Sequence, residues 1–124
     1  MDGKQYQPHL VRQIGTERIL PTLKIIEGKS WSHVRDGMEL MMTQYGGKWL
    51  LGPNVFPVSI AGKTGTAQNG LGVGFEHSWF TGFGPVDKPE VVVTVFIENG
   101  GSSSAVAIPI ARDFLAGYWN VQVD

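Results

Sequence analysis

The chain has 124 residues, enough for one compact domain with a real core, and its 42% apolar and 17% charged residues are those of a globular protein. A net charge of −1 leaves no basic field to recruit nucleic acid and no acidic tail. Cysteine is absent, which excludes disulfide frameworks, thiolate metal sites and a cysteine nucleophile without fixing the compartment.

Met1-Asp2-Gly3-Lys4-Gln5 is polar, so no secretory leader is expected. No apolar run reaches the ~18–20 residues that span a bilayer. Pro8 to Ile14 alternates weakly and reads as a short strand. Gly15-Thr16 turns it, and Arg18-Ile19-Leu20 returns as a hairpin partner until Pro21. Ser30 or Ser32 caps a helix whose apolar positions Trp31, Val34, Met38 and Met41 recur at one-face spacing. Gly37 weakens that helix, and Gly46-Gly47 closes it. Residues 48–57, with Gly52-Pro53-Asn54, read as a loop.

Val58 to Gln68 is a strand. Asn69-Gly70 is a hairpin signal, although Gly70, Gly72 and Gly74 argue for a longer, mobile connection. Ser78 to Phe83 is an aromatic-rich strand, Pro85 to Pro89 a turn, and Glu90 to Glu98 a strand apolar on both faces. Ser102-Ser103-Ser104 offers a cap for a final helix starting near Ala107, with Pro109 in its first turn. Ile108, Ala111, Leu115 and Tyr118 share its apolar face, widened by Phe114 and Trp119. The predicted fold is α+β: a helix, an antiparallel three-stranded sheet, and a C-terminal helix packed on it. A strand apolar on both faces needs cover on both sides, and no second long helix is available for the other side.

The chemistry concentrates in Ala61-Gly62-Lys63-Thr64-Gly65-Thr66-Ala67-Gln68. Lys63 supplies a compact positive charge. Thr64 and Thr66, two residues apart, point to the same side of a strand as hydroxyl donors. Gly65 has no side chain, so a ligand backbone can approach closely. A cation with two hydroxyls suits a carboxylate, and free backbone groups suit an extended peptide laid alongside. A backbone N–H here can also donate to a developing oxyanion, worth about 3–4 kcal/mol in other acyl-transfer sites. These parts serve acyl transfer on a peptide ending in a carboxylate. Yet none of the serines has Lys three places on or Asn two places on, so the nucleophile motif Ser-x-x-Lys and a Ser-x-Asn motif are both missing.

Other readings have less support. Gly62-Lys63-Thr64 imitates the end of a phosphate loop, but position 57 is Pro where Gly is needed, and Gly65 blocks the helix that should follow. His9, His33 and His77 share no ligand spacing. His77 and Ser78 are strand neighbours on opposite faces, so they do not form a nucleophile–base pair.

Taken together, these stretches resemble the C-terminal part of the transpeptidase domain of class B penicillin-binding proteins, of the elongation type known as penicillin-binding protein 2. The landmarks are Tyr6-Gln7-Pro8-His9-Leu10-Val11, the Val34…Gly37-Met38 helix, Ala61 to Gln68, and His77-Ser78-Trp79-Phe80-Thr81-Gly82-Phe83. They continue through Pro89-Glu90-Val91, Glu98-Asn99-Gly100-Gly101 and Ala107-Ile108-Pro109-Ile110. They favour a penicillin-binding protein over a class A β-lactamase.

The resemblance implies half of a β-lactamase/transpeptidase-like domain over residues 1–124, with the Ser-x-x-Lys and Ser-x-Asn part absent. The expectation is a truncated or proteolytic piece. The resemblance also implies that Lys63 holds the positive potential, that Thr64 and Thr66 bind the carboxylate, and that the Thr66 N–H is half of an oxyanion hole. The implied partners are the D-Ala-D-Ala stem peptide of peptidoglycan, β-lactams, and the N-terminal half of the same domain. No metal or cofactor is implied. The parent would work at the outer face of the bacterial cytoplasmic membrane, the piece alone being inactive. Without its neighbours, the valine strand and last helix are expected to expose apolar surface and to favour homodimers by strand or helix exchange.

Overall fold

A computed structural model describes residues 4–26, 28 and 30–123, so Met1, Asp2 and Gly3 of the polar start lie outside it. The chain divides into two units, Met1–Val34 and Arg35–Asp124.

The first unit holds two small antiparallel pairs. β1 (Lys4–Tyr6) pairs with β4 (Leu23–Ile25), and β2 (Gln13–Ile14) pairs with β3 (Glu17–Arg18). The hairpin at Gly15-Thr16 is as the sequence predicts, with Gly15 at φ 57°. The strand around it is Gln13–Ile14, shorter than the predicted Pro8 to Ile14. The β1–β4 pair was not legible in the sequence.

Helix α1 spans Trp31–Thr43. Its buried position is Met42, with Met38 and Met41 partly buried and Val34 exposed. The apolar face is therefore rotated by about one residue from the predicted Trp31-Val34-Met38-Met41 line. The stretch read as a loop at 48–57 contains a short helix, α2 (Lys48–Leu51), which buries Leu51. Gly46-Gly47 breaks α1, and the chain re-enters helix at once.

The main sheet has the order β5-β6-β7, from Ala61–Ala67, His77–Gly84 and Val91–Ile97, all antiparallel. No two-residue hairpin forms at Asn69-Gly70, since β6 resumes only at His77. Gly70, Gly72 and Gly74 all adopt positive φ in the longer connection. The turn after β6 has a cis Gly84-Pro85 bond.

Along β7 burial alternates: Val93 and Val95 face the core, while Val92 (67% exposed) and Phe96 (46%) face outward. A strand apolar on both faces is thus covered on one face only among the described residues.

Helix α3 (Ala107–Trp119) covers the inner face, burying Ala107, Ile108, Ala111, Leu115 and Ala116 against Phe80, Val93 and Val95. Each large side chain buried there contributes roughly 1.5–3 kcal/mol. The helix starts where the sequence places it. Its cap does not: Val106 is the N-cap and makes no side-chain cap bond. Ser102 and Ser104 instead bond each other at 3.0 Å. Phe114 and Tyr118 lie half exposed, outside the buried stripe, because one flat sheet covers only a narrow arc of the helix. Trp119 is partly buried, edge-on to Phe56 at 6.3 Å. Asn120 ends the helix in the left-handed region, donating its N–H to the Ala116 and Gly117 carbonyls. No helix among the described residues is long and apolar enough to cross a membrane.

Candidate functional site

The Lys63–Thr66 motif forms the middle of β5, an edge strand that pairs with β6 alone among the described residues. An edge strand presents one row of backbone N–H and C=O groups without ladder partners. The register sets Lys63 opposite Thr81, Thr64 opposite Phe80, Gly65 opposite Trp79 and Thr66 opposite Ser78.

Side chains alternate along a strand, so Thr64 and Thr66 share the α3 side with the buried Phe80 and Ser78. Lys63 starts from the other face. Its long stem turns back, and Nζ donates to the Thr64 carbonyl at 2.6 Å. The ammonium is therefore at the strand backbone, beside Thr64, and exposed. Backbone groups also alternate, which puts the Thr66 N–H on the same strand edge as the Thr64 carbonyl.

A Cβ on Gly65 would lie 3.3 Å from the Trp79 Cβ, so the missing side chain makes room for a cross-strand neighbour on the Lys63 face. That face also carries a tilted ring pair, Trp79 and Phe96 with centroids 4.3 Å apart and planes at 43°, and His77 lies edge-on to Phe96 at 5.5 Å.

Thr66 has a partner that sequence reasoning missed. Its Oγ1 donates to Ser103 Oγ at 3.2 Å, tying the motif to the turn before α3. The triple serine was legible only as a loop and cap, and no local signal marks its middle residue. Two more side chains, Asn69 and Asn99, fix this end of the sheet. Asn69 Nδ2 donates to the Phe75 carbonyl and to Asn99 Oδ1. The Asn99 N–H donates to His77 Nδ1 at 3.1 Å, and the Gly101 N–H to the Glu76 carbonyl at 2.8 Å. His77 is thereby engaged away from Ser78, whose Oγ is buried with no hydrogen-bond partner among the described residues. Those residues contain no group of three or more His, Cys, Asp or Glu able to hold a metal ion.

Comparison with known proteins matches this arrangement to one family. A family model described as the penicillin-binding protein transpeptidase domain matches residues 1–116. The peptidoglycan D,D-transpeptidase MrdA of Haemophilus influenzae is 31% identical over 143 aligned positions, covering 96% of this chain and 22% of that protein. The peptidoglycan D,D-transpeptidase PbpA of Mycolicibacterium smegmatis is 39% identical over 66 positions, 48% of this chain and 13% of that protein. Among solved structures, a chain of a peptidoglycan synthase complex that coordinates polymerization and crosslinking superposes with a TM-score of 0.83 and 37% identity, over 97% of this chain and 21% of that one. Pseudomonas aeruginosa PBP2 in complex with WCK 5153 gives 0.66 and 30%, over 94% of this chain and 27% of that one. The chain thus spans between an eighth and somewhat over a quarter of the relatives it matches.

Proposed function

From the premise that this chain belongs to the penicillin-binding protein transpeptidase domain family, we propose that it supplies the ligand-recognition wall of a peptidoglycan D,D-transpeptidase. The observation that supports the reading most is the extended edge strand, with the Lys63 ammonium at the Thr64 carbonyl and the Thr66 hydroxyl at the rim.

In this reading a stem peptide ending in D-Ala-D-Ala lies along β5 as an added strand. The hydroxyls of Thr64 and Thr66 donate to its terminal carboxylate, and Lys63 supplies the positive potential that draws it in. The N–H of Thr66 points at the scissile carbonyl. As a serine attacks, charge builds on that oxygen, and a preorganised donor there lowers the barrier. The attacking serine and its lysine come from outside the 124 residues, in the N-terminal half of the same domain. A β-lactam would occupy the same wall through its own carboxylate. The parent reaches peptidoglycan from the outer face of the cytoplasmic membrane.

Labelling with a fluorescent penicillin tests the division of labour. The 124-residue chain is expected to take no covalent, boiling-resistant label. A labelled band from this chain alone would falsify it.

A second reading is a peptide-binding or structural module that associates through its exposed strands. It is favoured by β7, whose outward Val92 and Phe96 are exposed on an edge strand of the sheet. The two readings are compatible, since an exposed strand can pair with another segment or with a second copy.

A further inference from the structure

Thr66 is the outermost hydroxyl of the motif, and it is not free to point where it likes. Ser103 holds it at 3.2 Å, and Ser103 itself is 6% exposed. The turn around Ser103 is fixed by its backbone. The N–H groups of Ala105 and Val106 both donate to the Ser102 carbonyl at 3.1 Å, and that of Ile108 donates to the Ser103 carbonyl at 3.1 Å. The residue is a rigid post behind a rim hydroxyl.

We propose that Ser103 is a positioning residue that makes Thr66 selective for an anionic ligand terminus. A hydroxyl has one proton and two lone pairs. With nothing bound, Thr66 can spend its proton on Ser103. A carboxylate only accepts, so Thr66 must turn its proton outward to meet one. Its vacated oxygen then needs a donor, and the Ser103 hydroxyl supplies one by reversing. A backbone carbonyl in place of Ser103 could only accept, and would hold the Thr66 proton inward. A fixed N–H could only donate. A hydroxyl post alone serves both states, and its donation strengthens the outward bond by polarising Thr66. Ser103 touches no ligand in this scheme and acts through Thr66. The inference rests on the function proposed above.

The test uses the whole 124-residue chain and two peptides ending in D-Ala-D-Ala, one as free acid and one as C-terminal amide. Amide shifts at Lys63 to Thr66 report both affinities. The wild-type chain is expected to prefer the acid. Ser103→Ala should lower that acid-over-amide preference on the order of 3- to 10-fold, the range of one net hydrogen bond, with the amide-ended affinity unchanged. Ser103→Thr, which keeps the hydroxyl, should retain it. A purely structural role would weaken both peptides alike, and that outcome overturns the inference. So does a Ser103→Ala chain that keeps the full preference. If the wild-type chain shows no preference, the proposed function itself fails and the role of Ser103 falls with it. Should Ser103→Ala fail to fold, Ser103→Cys takes its place, keeping the shape with only a feeble donor, and the same loss is expected.

Discussion

The Phe80 ring lies where a side chain on Gly62 would have to go. A Cβ on Gly62 would meet the Phe80 ring atoms at 2.7 Å, and one on Gly82 would meet the ring at the same distance. Phe80 is fully buried at the centre of the sheet, under α3. The motif strand is therefore seated by an aromatic ring laid across two glycines, one in β5 and one in β6. Gly62→Ala forces the ring out of its place and should destabilise the chain by about 1–3 kcal/mol in a urea melt. Adding Phe80→Leu should recover part of the loss, as expected for residues in direct contact. Equal stability of Gly62→Ala and wild type would refute the seating.

Ser78 is the opposite case. Its hydroxyl is buried and unpartnered among the described residues, and such a group costs about 1–3 kcal/mol. Ser78→Ala removes the cost and loses little packing. It should be neutral or stabilising by up to about 1 kcal/mol in thermal unfolding. A clear drop in Tm would mean that the hydroxyl has a partner.

Asn120 closes α3 at φ 52°, with its N–H on the Ala116 and Gly117 carbonyls. Glycine tolerates that conformation and a β-branched residue does not. Asn120→Gly should change stability by no more than a few tenths of a kcal/mol, while Asn120→Val should cost about 1–2 kcal/mol. Chemical denaturation separates the two, and equal effects would exclude the left-handed cap.

The layout of the second unit was largely legible in the sequence. Three runs of strand length, the last two rich in aromatic and β-branched residues, punctuated by Pro85 to Pro89 and followed by a 3.6-residue pattern from Ala107, leave little choice beyond an antiparallel sheet with a helix on it. What escaped was what depends on contacts distant in sequence. The periodicity marks Tyr118 and Phe114 as apolar but does not say how wide an arc the sheet covers. The alternation of β5 places Thr64 and Thr66 together, but not the return of the Lys63 stem to its own strand. It also gives Gly65 no neighbour, and Trp79 enters only through the register. Ser103 is invisible because its role is set by a partner in another element.

The outward face of β7 leads to a prediction about assembly. Val92 and Phe96 are exposed on an edge strand with no charged residue between Val91 and Ile97, a pattern that invites pairing with another strand. Sedimentation should show concentration-dependent association of the chain. A Val92→Lys, Phe96→Glu double variant should sediment as a monomer. A wild-type chain that stays monomeric at high concentration would remove the second reading.

The most direct test of the recognition wall is a titration of the chain with a D-Ala-D-Ala peptide, followed by amide chemical shifts, in wild type and in Lys63→Gln. The wild-type chain should show saturable shifts concentrated at Lys63 to Thr66. These should weaken with added salt, as exposed charge attraction does, and diminish in Lys63→Gln. Shifts that are absent at millimolar peptide, or indifferent to the loss of the ammonium, would contradict it.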